Sequence, residues 1–198
     1  MPATASTEAA IHESISANIA VKHAMLADQE FVSAVAAAAE MILAALRNGR
    51  KLLLAGNGGS AADAQHIAAE FVGRFRIERR ALPALALSVN TSALTAIGND
   101  YGFDDVFARQ VSAFAQPGDV LLALSTSGNS RNIHRALLMA SALRLKTIAL
   151  TGSSGGKLKG IADLCLRIPS QDTPRIQEAH ILVGHTISEI VEAELFGH

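Results

Sequence analysis

The stretch Leu121-Leu122-Ala123-Leu124-Ser125-Thr126-Ser127-Gly128-Asn129-Ser130 decides how this chain folds. A leucine-rich run stops abruptly and gives way to four hydroxyl side chains, a glycine and an asparagine. From Ser130 onward the pattern turns helical. The order is buried strand, polar turn, helix start. Such a turn aims hydroxyls and backbone N–H groups at one spot, beside the positive end of a helix dipole. An anion fits there, and a phosphate fits best.

The same device occurs upstream. Lys51-Leu52-Leu53-Leu54-Ala55 reads as a short buried strand, followed by Gly56-Asn57-Gly58-Gly59-Ser60 and a helical run from Ala61 to Phe71. Glycines let a backbone approach a ligand closely. Two such units place one site at the carboxyl edge of a parallel sheet, where open α/β folds bind ligands. Neither turn is a nucleotide fingerprint. Ala61 stands where G-x-G-x-x-G requires its last glycine, and no G-x-x-x-x-G-K-[ST] is present. Read singly, either turn is equally an ordinary polar βα loop; the pair favours phosphate.

The α/β alternation extends outward from these units. Strands are predicted at 51–55, 84–88, 119–124, 146–151 and 163–168. Helical stretches fall near 60–72, 91–97, 103–115, 130–143 and 156–161, with a last helix from Pro174 or Arg175 to Leu195. Strands separated by helices imply a parallel sheet with right-handed crossovers. Ahead of the first strand, Ile11, Ile15 and Ile19 recur at helical spacing within 8–26, and a second helix runs from Gln29 to Leu46 and stops at Asn48-Gly49. These two helices need a partner for their apolar faces, and another subunit is a candidate. Residues 1–7 read as a flexible tail.

Bulk composition narrows the classes. At 198 residues one domain is expected, and 49% hydrophobic residues suffice for a large core. A net charge of −1 without a basic block argues against nucleic acid as a partner. The single cysteine, Cys165, cannot support a disulfide framework. Neither a signal peptide nor an apolar run of spanning length is read, so the expected compartment is the cytoplasm, away from membranes.

Three constellations carry chemistry. His66 and Glu70 stand four apart on one helix face. That spacing suits a shared divalent ion, an acid–base pair, or a plain surface hydrogen bond. Gln177, Glu178, His180 and His185 lie on the final helix. Gln177 and His185 are separated by roughly 12 Å along its axis and about 80° around it, so they do not converge easily on one ion. The third constellation, Gly98-Asn99-Asp100-Tyr101-Gly102, offers Asp100 to sugar hydroxyls but by pattern alone is a turn.

Taken together, Gly56-Asn57-Gly58-Gly59-Ser60-Ala61-Ala62-Asp63, Ser125-Thr126-Ser127-Gly128-Asn129-Ser130 and Arg175-Ile176-Gln177-Glu178 resemble sugar isomerase (SIS) domains, and among these the phosphoheptose isomerases. The resemblance covers nearly the whole chain. It implies one SIS domain over 1–198: a flavodoxin-like three-layer α/β/α core over 49–198 with a five-stranded parallel sheet, and N-terminal helices over 8–48 used in oligomerisation. It also implies a homotetramer with intersubunit active sites, and one zinc per subunit on His66, Glu70, Gln177 and His185. Substrate contacts fall to Asn57, Gly58, Gly59, Ser60, Asn99, Asp100, Ser125, Thr126, Ser127, Ser130 and Gln177, with Glu70 as base and His185 as acid.

The implied reaction takes D-sedoheptulose 7-phosphate to D-glycero-D-manno-heptose 7-phosphate through an enediol, the first step towards activated heptoses for lipopolysaccharide or other surface glycans. The alternative is a non-catalytic SIS protein, either a sugar-phosphate sensor or a regulator of replication initiation. Relatives that regulate replication initiation lack the glutamate and histidine that stand here at Glu70 and His185. One departure from the family is Thr173-Pro174, where some members carry an acid; Asp172 lies beside it.

Overall fold

The computed structural model describes residues 5–197. Five parallel strands form one sheet: β1 (Leu52–Gly56), β2 (Ala84–Ala86), β3 (Val120–Ser125), β4 (Lys146–Thr151) and β5 (Leu164–Arg167), in the order β2-β1-β3-β4-β5. β1 and β3 are buried along their whole length. This explains their unbroken apolar runs, because a parallel sheet is covered on both faces.

Alternate residues divide between two cores. Leu52, Leu54, Leu122 and Leu124 pack under α2 (Gln29–Arg47), α3 (Gly59–Val72) and α7 (Thr173–Phe196). Leu53, Ala55, Leu121 and Ala123 pack under α5 (Val106–Phe114) and α6 (Arg131–Ala142). α4 (Thr91–Tyr101) flanks this second layer, Leu94 and Ile97 packing against it. The result is the expected α/β/α sandwich.

Local chemistry sets the element ends. The Asp28 side chain caps α2 by accepting from the Phe31 N–H, and Asn90 caps α4 by accepting from Ala93. Pro174 sits in the first turn of α7, where its missing N–H costs nothing.

Several boundaries differ from the sequence reading. α1 (Ala5–Ala27) begins within the predicted tail, so Ala5, Ser6 and Thr7 are helical, while 1–4 lie outside the described residues. The predicted turn at Asn99-Asp100 is the last turn of α4, which runs on to Tyr101 and stops at Gly102. The predicted helix over 103–115 divides into a 3-10 turn, Phe103–Asp105, and α5, with Asp105 held 2.5 Å from Arg135. Near 156–161 only a 3-10 turn, Leu158–Gly160, forms.

By length and composition α2 is apolar enough to cross a membrane, contrary to the sequence reading. It buries eight residues instead, Ile42 and Leu43 among them, in the core beneath the sheet.

Candidate active site

In the order β2-β1-β3-β4-β5 the chain leaves β1 toward one edge and β3 toward the other. The switch point therefore lies between β1 and β3, where doubly wound sheets bind ligands. Both polar turns emerge there. Gly56 pairs with Leu124, so Asn57 and Ser125 leave the sheet side by side.

The helices after these two strands start without a side-chain cap, unlike α2 and α4. Gly58 precedes α3 at φ 54°, a conformation that favours glycine, and Ser130 precedes α6. Uncapped first turns leave backbone donors facing the switch point. The α6 donor of Ile133 is already taken by the Asn132 side chain.

The two turns are stitched together. The amides of Asn57 and Asn132 exchange reciprocal hydrogen bonds of 2.9 Å. Asn132, buried in the first turn of α6, escaped the sequence reading; its place two residues past the serine turn was the only signal. Ser125 Oγ lies 3.0 Å from Ser130 Oγ. Thr126 is half-buried, and the exposed Ser127 accepts from the Asn129 N–H. Behind the turn Gly128 sits at φ 64°, and a Cβ there would fall 2.2 Å from the Gly155 carbonyl oxygen. Its own carbonyl accepts from the Leu158 N–H.

The second part of the site lies between α3 and α7. His66 Nε2 is 3.0 Å from Glu70 Oε1 and 3.1 Å from His185 Nε2, and His185 Nε2 is 3.8 Å from the same Glu70 oxygen. A point equidistant from three atoms with those separations is about 2 Å from each, the length of a zinc–nitrogen or zinc–oxygen bond. Two imidazoles and a carboxylate form a zinc-type donor set. Among the described residues these three are the group of histidine and acidic side chains arranged to hold a metal ion.

His66 is more than half exposed, Glu70 one-fifth. The Phe75 ring lies 5.7 Å from that of His185. One turn before His66, burial raises the Asp63 carboxyl above its ordinary range, against a smaller opposing pull from His66. One Asp63 oxygen is buried without a hydrogen-bond partner.

Gln177, the other expected ligand, lies on the same helix as His185. Its amide lies over the start of α3, where a Cβ on Gly59 would fall 2.5 Å from Gln177 Nε2. This puts Gln177 against the glycine turn, about two turns of helix from the backbone of His66. Ser60 is buried. Asn99 and Asp100 are exposed and bonded to each other at the end of α4. Asp172, beside the departure at Thr173-Pro174, occupies the N-cap position of α7 without a side-chain cap bond and is exposed.

Residues 17–152 match the SIS domain family. A phosphoheptose isomerase of Clostridium acetobutylicum is 51% identical over 94% of this chain and 95% of the relative, and one of Geobacter metallireducens is 58% identical over 85% and 89%. The solved phosphoheptose isomerase of Neisseria gonorrhoeae superposes with a TM-score of 0.88 at 43% identity, over 94% of this chain and 98% of that one. The chain belongs to the SIS domain family, in its phosphoheptose isomerase branch.

Proposed function

We propose that the chain is an aldose–ketose isomerase converting D-sedoheptulose 7-phosphate to D-glycero-D-manno-heptose 7-phosphate. The observation that carries this reading is the convergence of His66, Glu70 and His185, on the chain that also holds two uncapped polar turns at the switch point. A phosphate needs the turns, and a carbonyl undergoing proton transfer needs the imidazole–carboxylate group.

The residues divide the work. Ser125, Thr126, Ser127 and Ser130, with the first-turn N–H groups of α6, grip the phosphate and so fix the position of the reacting carbons. Asn57, Gly58, Gly59, Ser60 and Gln177 line the sugar, and Asn99 and Asp100 supply further polar contacts from α4. Glu70 takes the proton from the carbon next to the carbonyl and, once the enediol has formed, returns it to the former carbonyl carbon. His185 gives a proton to the carbonyl oxygen as the enediol forms and takes one from the neighbouring hydroxyl as the aldose forms.

Zinc is the ion proposed for His66, Glu70 and His185; when bound, it polarises the substrate oxygen and stabilises developing negative charge. Gln177 is the fourth ligand of the family pattern, reaching that ion from its own chain or from a neighbouring copy. Because the triad is open to solvent, closure by a second copy is proposed. Ile11, Ile15 and Ile19 of α1 are each about half exposed, which supports contact between copies and a homotetramer with sites at its interfaces.

The test is an isomerase assay on sedoheptulose 7-phosphate, run beside metal analysis of the purified protein. Aldose formation with about one zinc per chain supports the reading. Absence of both turnover and zinc would leave a sugar-phosphate sensor as the better description.

A further inference from the structure

An ion pair is sealed behind the triad. The side chains of Arg79 and Glu192 are each 2% exposed, with Arg79 Nε 2.9 Å from Glu192 Oε1. Arg79 belongs to the segment Arg74-Phe75-Arg76-Ile77-Glu78-Arg79-Arg80, which follows α3 and has no regular secondary structure.

Each partner makes contacts that reach the proposed chemistry. The Arg79 guanidinium donates to the backbone carbonyls of Glu70, Phe71, Gly73 and Arg80. It thereby covers the end of α3 with positive charge, the favourable sign for a helix C-terminus, and holds the main chain of Glu70 itself. The Glu192 carboxylate accepts from three successive backbone N–H groups, those of Phe75, Arg76 and Ile77, at 2.8, 2.5 and 2.9 Å. Burial opposes its ionisation, but these donors and Arg79 outweigh that and hold the carboxyl below its ordinary range. The loop wrapped around this carboxylate carries the Phe75 ring that lies against His185.

Glu192 follows His185 by seven residues on the same face of α7, with Glu189 between them; Glu189 anchors Arg76 at 2.5 Å. One face of α7 therefore presents first the imidazole and then two carboxylates that fasten the loop ending α3.

We infer that Arg79 and Glu192 are positioning residues for the isomerase site: the pair fixes the main chain of Glu70 to the helix bearing His185 and seats Phe75 against that imidazole, setting the geometry of the three-atom cluster. The inference rests on the functional reading above. Capping the end of α3 would by itself account for the carbonyl bonds; what ties the pair to the site is that the loop held by Glu192 carries Phe75 onto the His185 ring.

The experiment compares the full-length parent with Glu192→Gln, Arg79→Lys and Phe75→Leu. Zinc affinity is read by chelator competition, kcat and KM by the isomerase assay, and folding by circular dichroism at the assay temperature. In folded Glu192→Gln and Arg79→Lys, zinc affinity and kcat should each fall about 10- to 100-fold, as expected when the support behind metal ligands is lost, while KM stays within about threefold. Phe75→Leu keeps the pair and should lower kcat by roughly 3- to 10-fold through His185 alone.

Folded variants with parental zinc affinity and kcat overturn the inference. Should Glu192→Gln fail to fold, Arg79→Lys and Phe75→Leu decide by the same limits. A parent that neither binds zinc nor turns over overturns the functional reading together with this inference, whereas an active parent with indifferent variants overturns the inference alone.

Discussion

His66 and His185 present their Nε2 atoms to each other at 3.1 Å across 119 residues of sequence. The contact is one rung of a longer ladder. Gln177 lies on Gly59, Gly184 on Ile67, and Glu192 on the Phe75 N–H, each pair 117 or 118 residues apart. A nearly constant offset means that α3 and α7 run parallel and in register. Both start at the carboxyl rim of the sheet. Gly184 makes the approach possible, since a Cβ there would fall 2.4 Å from Ile67 Cδ1. The rim residues Gly59 and Gln177 then face the polar turns, and the triad sits two turns further along.

This register predicts which substitutions act on chemistry. Glu70→Gln retains shape but removes the proposed base, and His185→Ala removes the proposed proton carrier. Each should lower kcat by about 10²- to 10⁴-fold, the range for a positioned acid or base. KM for the phosphorylated ketose should change little, because the proposed phosphate grip lies in the serine turn. Steady-state kinetics on both variants checks this, and parental rates in both would remove these roles.

Ser125→Ala is expected to behave in the opposite way. Ser125 is buried, 3.0 Å from Ser130 Oγ, at the point where β3 leaves the sheet. Losing one hydroxyl from the proposed set of phosphate donors should raise KM roughly tenfold, the worth of one hydrogen bond to a charged group. Isothermal titration with a non-reacting sugar phosphate would separate this binding loss from any change in kcat.

Gly128→Ala tests the scaffold of the same turn. Its φ of 64° demands a left-handed backbone, and an added Cβ would clash with main chain, 2.2 Å from the Gly155 carbonyl oxygen. Left-handed strain and overpacking together should cost about 3 kcal/mol, or roughly 6–12 °C in Tm for a chain of this size. Gly49→Ala is the matched control: φ is 69° but nothing lies within 4 Å of the added carbon, so only the strain of about 1–2 kcal/mol remains. Calorimetry on both variants should give the larger shift for Gly128→Ala.

How much of this was legible beforehand follows from the range of each interaction. The strands at Leu52 and Val120 declared themselves because a doubly covered strand is apolar throughout. The pairing of His66 with Glu70 is local, at helical spacing, and was visible. The arrival of His185 depends on the register of α3 against α7, which no local pattern encodes, and the same register sets Gln177 over Gly59. Arg79 and Glu192 were invisible because a buried arginine and a surface arginine look alike in sequence until the partner carboxylate, 113 residues away, is placed. The ion pair of Asp105, at the break before α5, with Arg135 of another helix is likewise long-range.

His180 gives the chain a calculable pH response. The ring is fully buried on α7, its Nε2–H donates to the Thr151 carbonyl at 3.3 Å, and Nδ1 has no partner. Burial, only partly offset by that hydrogen bond, pushes its pKa from 6.5 down to about 4. The unfolded chain takes a proton on this imidazole near pH 6.5, the folded chain only near pH 4. Between these values the unfolded state binds more protons, so stability rises with pH. The contribution is complete above about pH 6.5 and has been lost by about pH 4, amounting to about 3 kcal/mol at 1.36 kcal/mol per unit. In His180→Gln the amide keeps a donor for Thr151 but cannot titrate. Urea unfolding of metal-free parent and variant from pH 4 to 7.5 should therefore show the parent losing more stability on acidification, by that amount, and parallel curves would mean that the imidazole is protonated inside the fold.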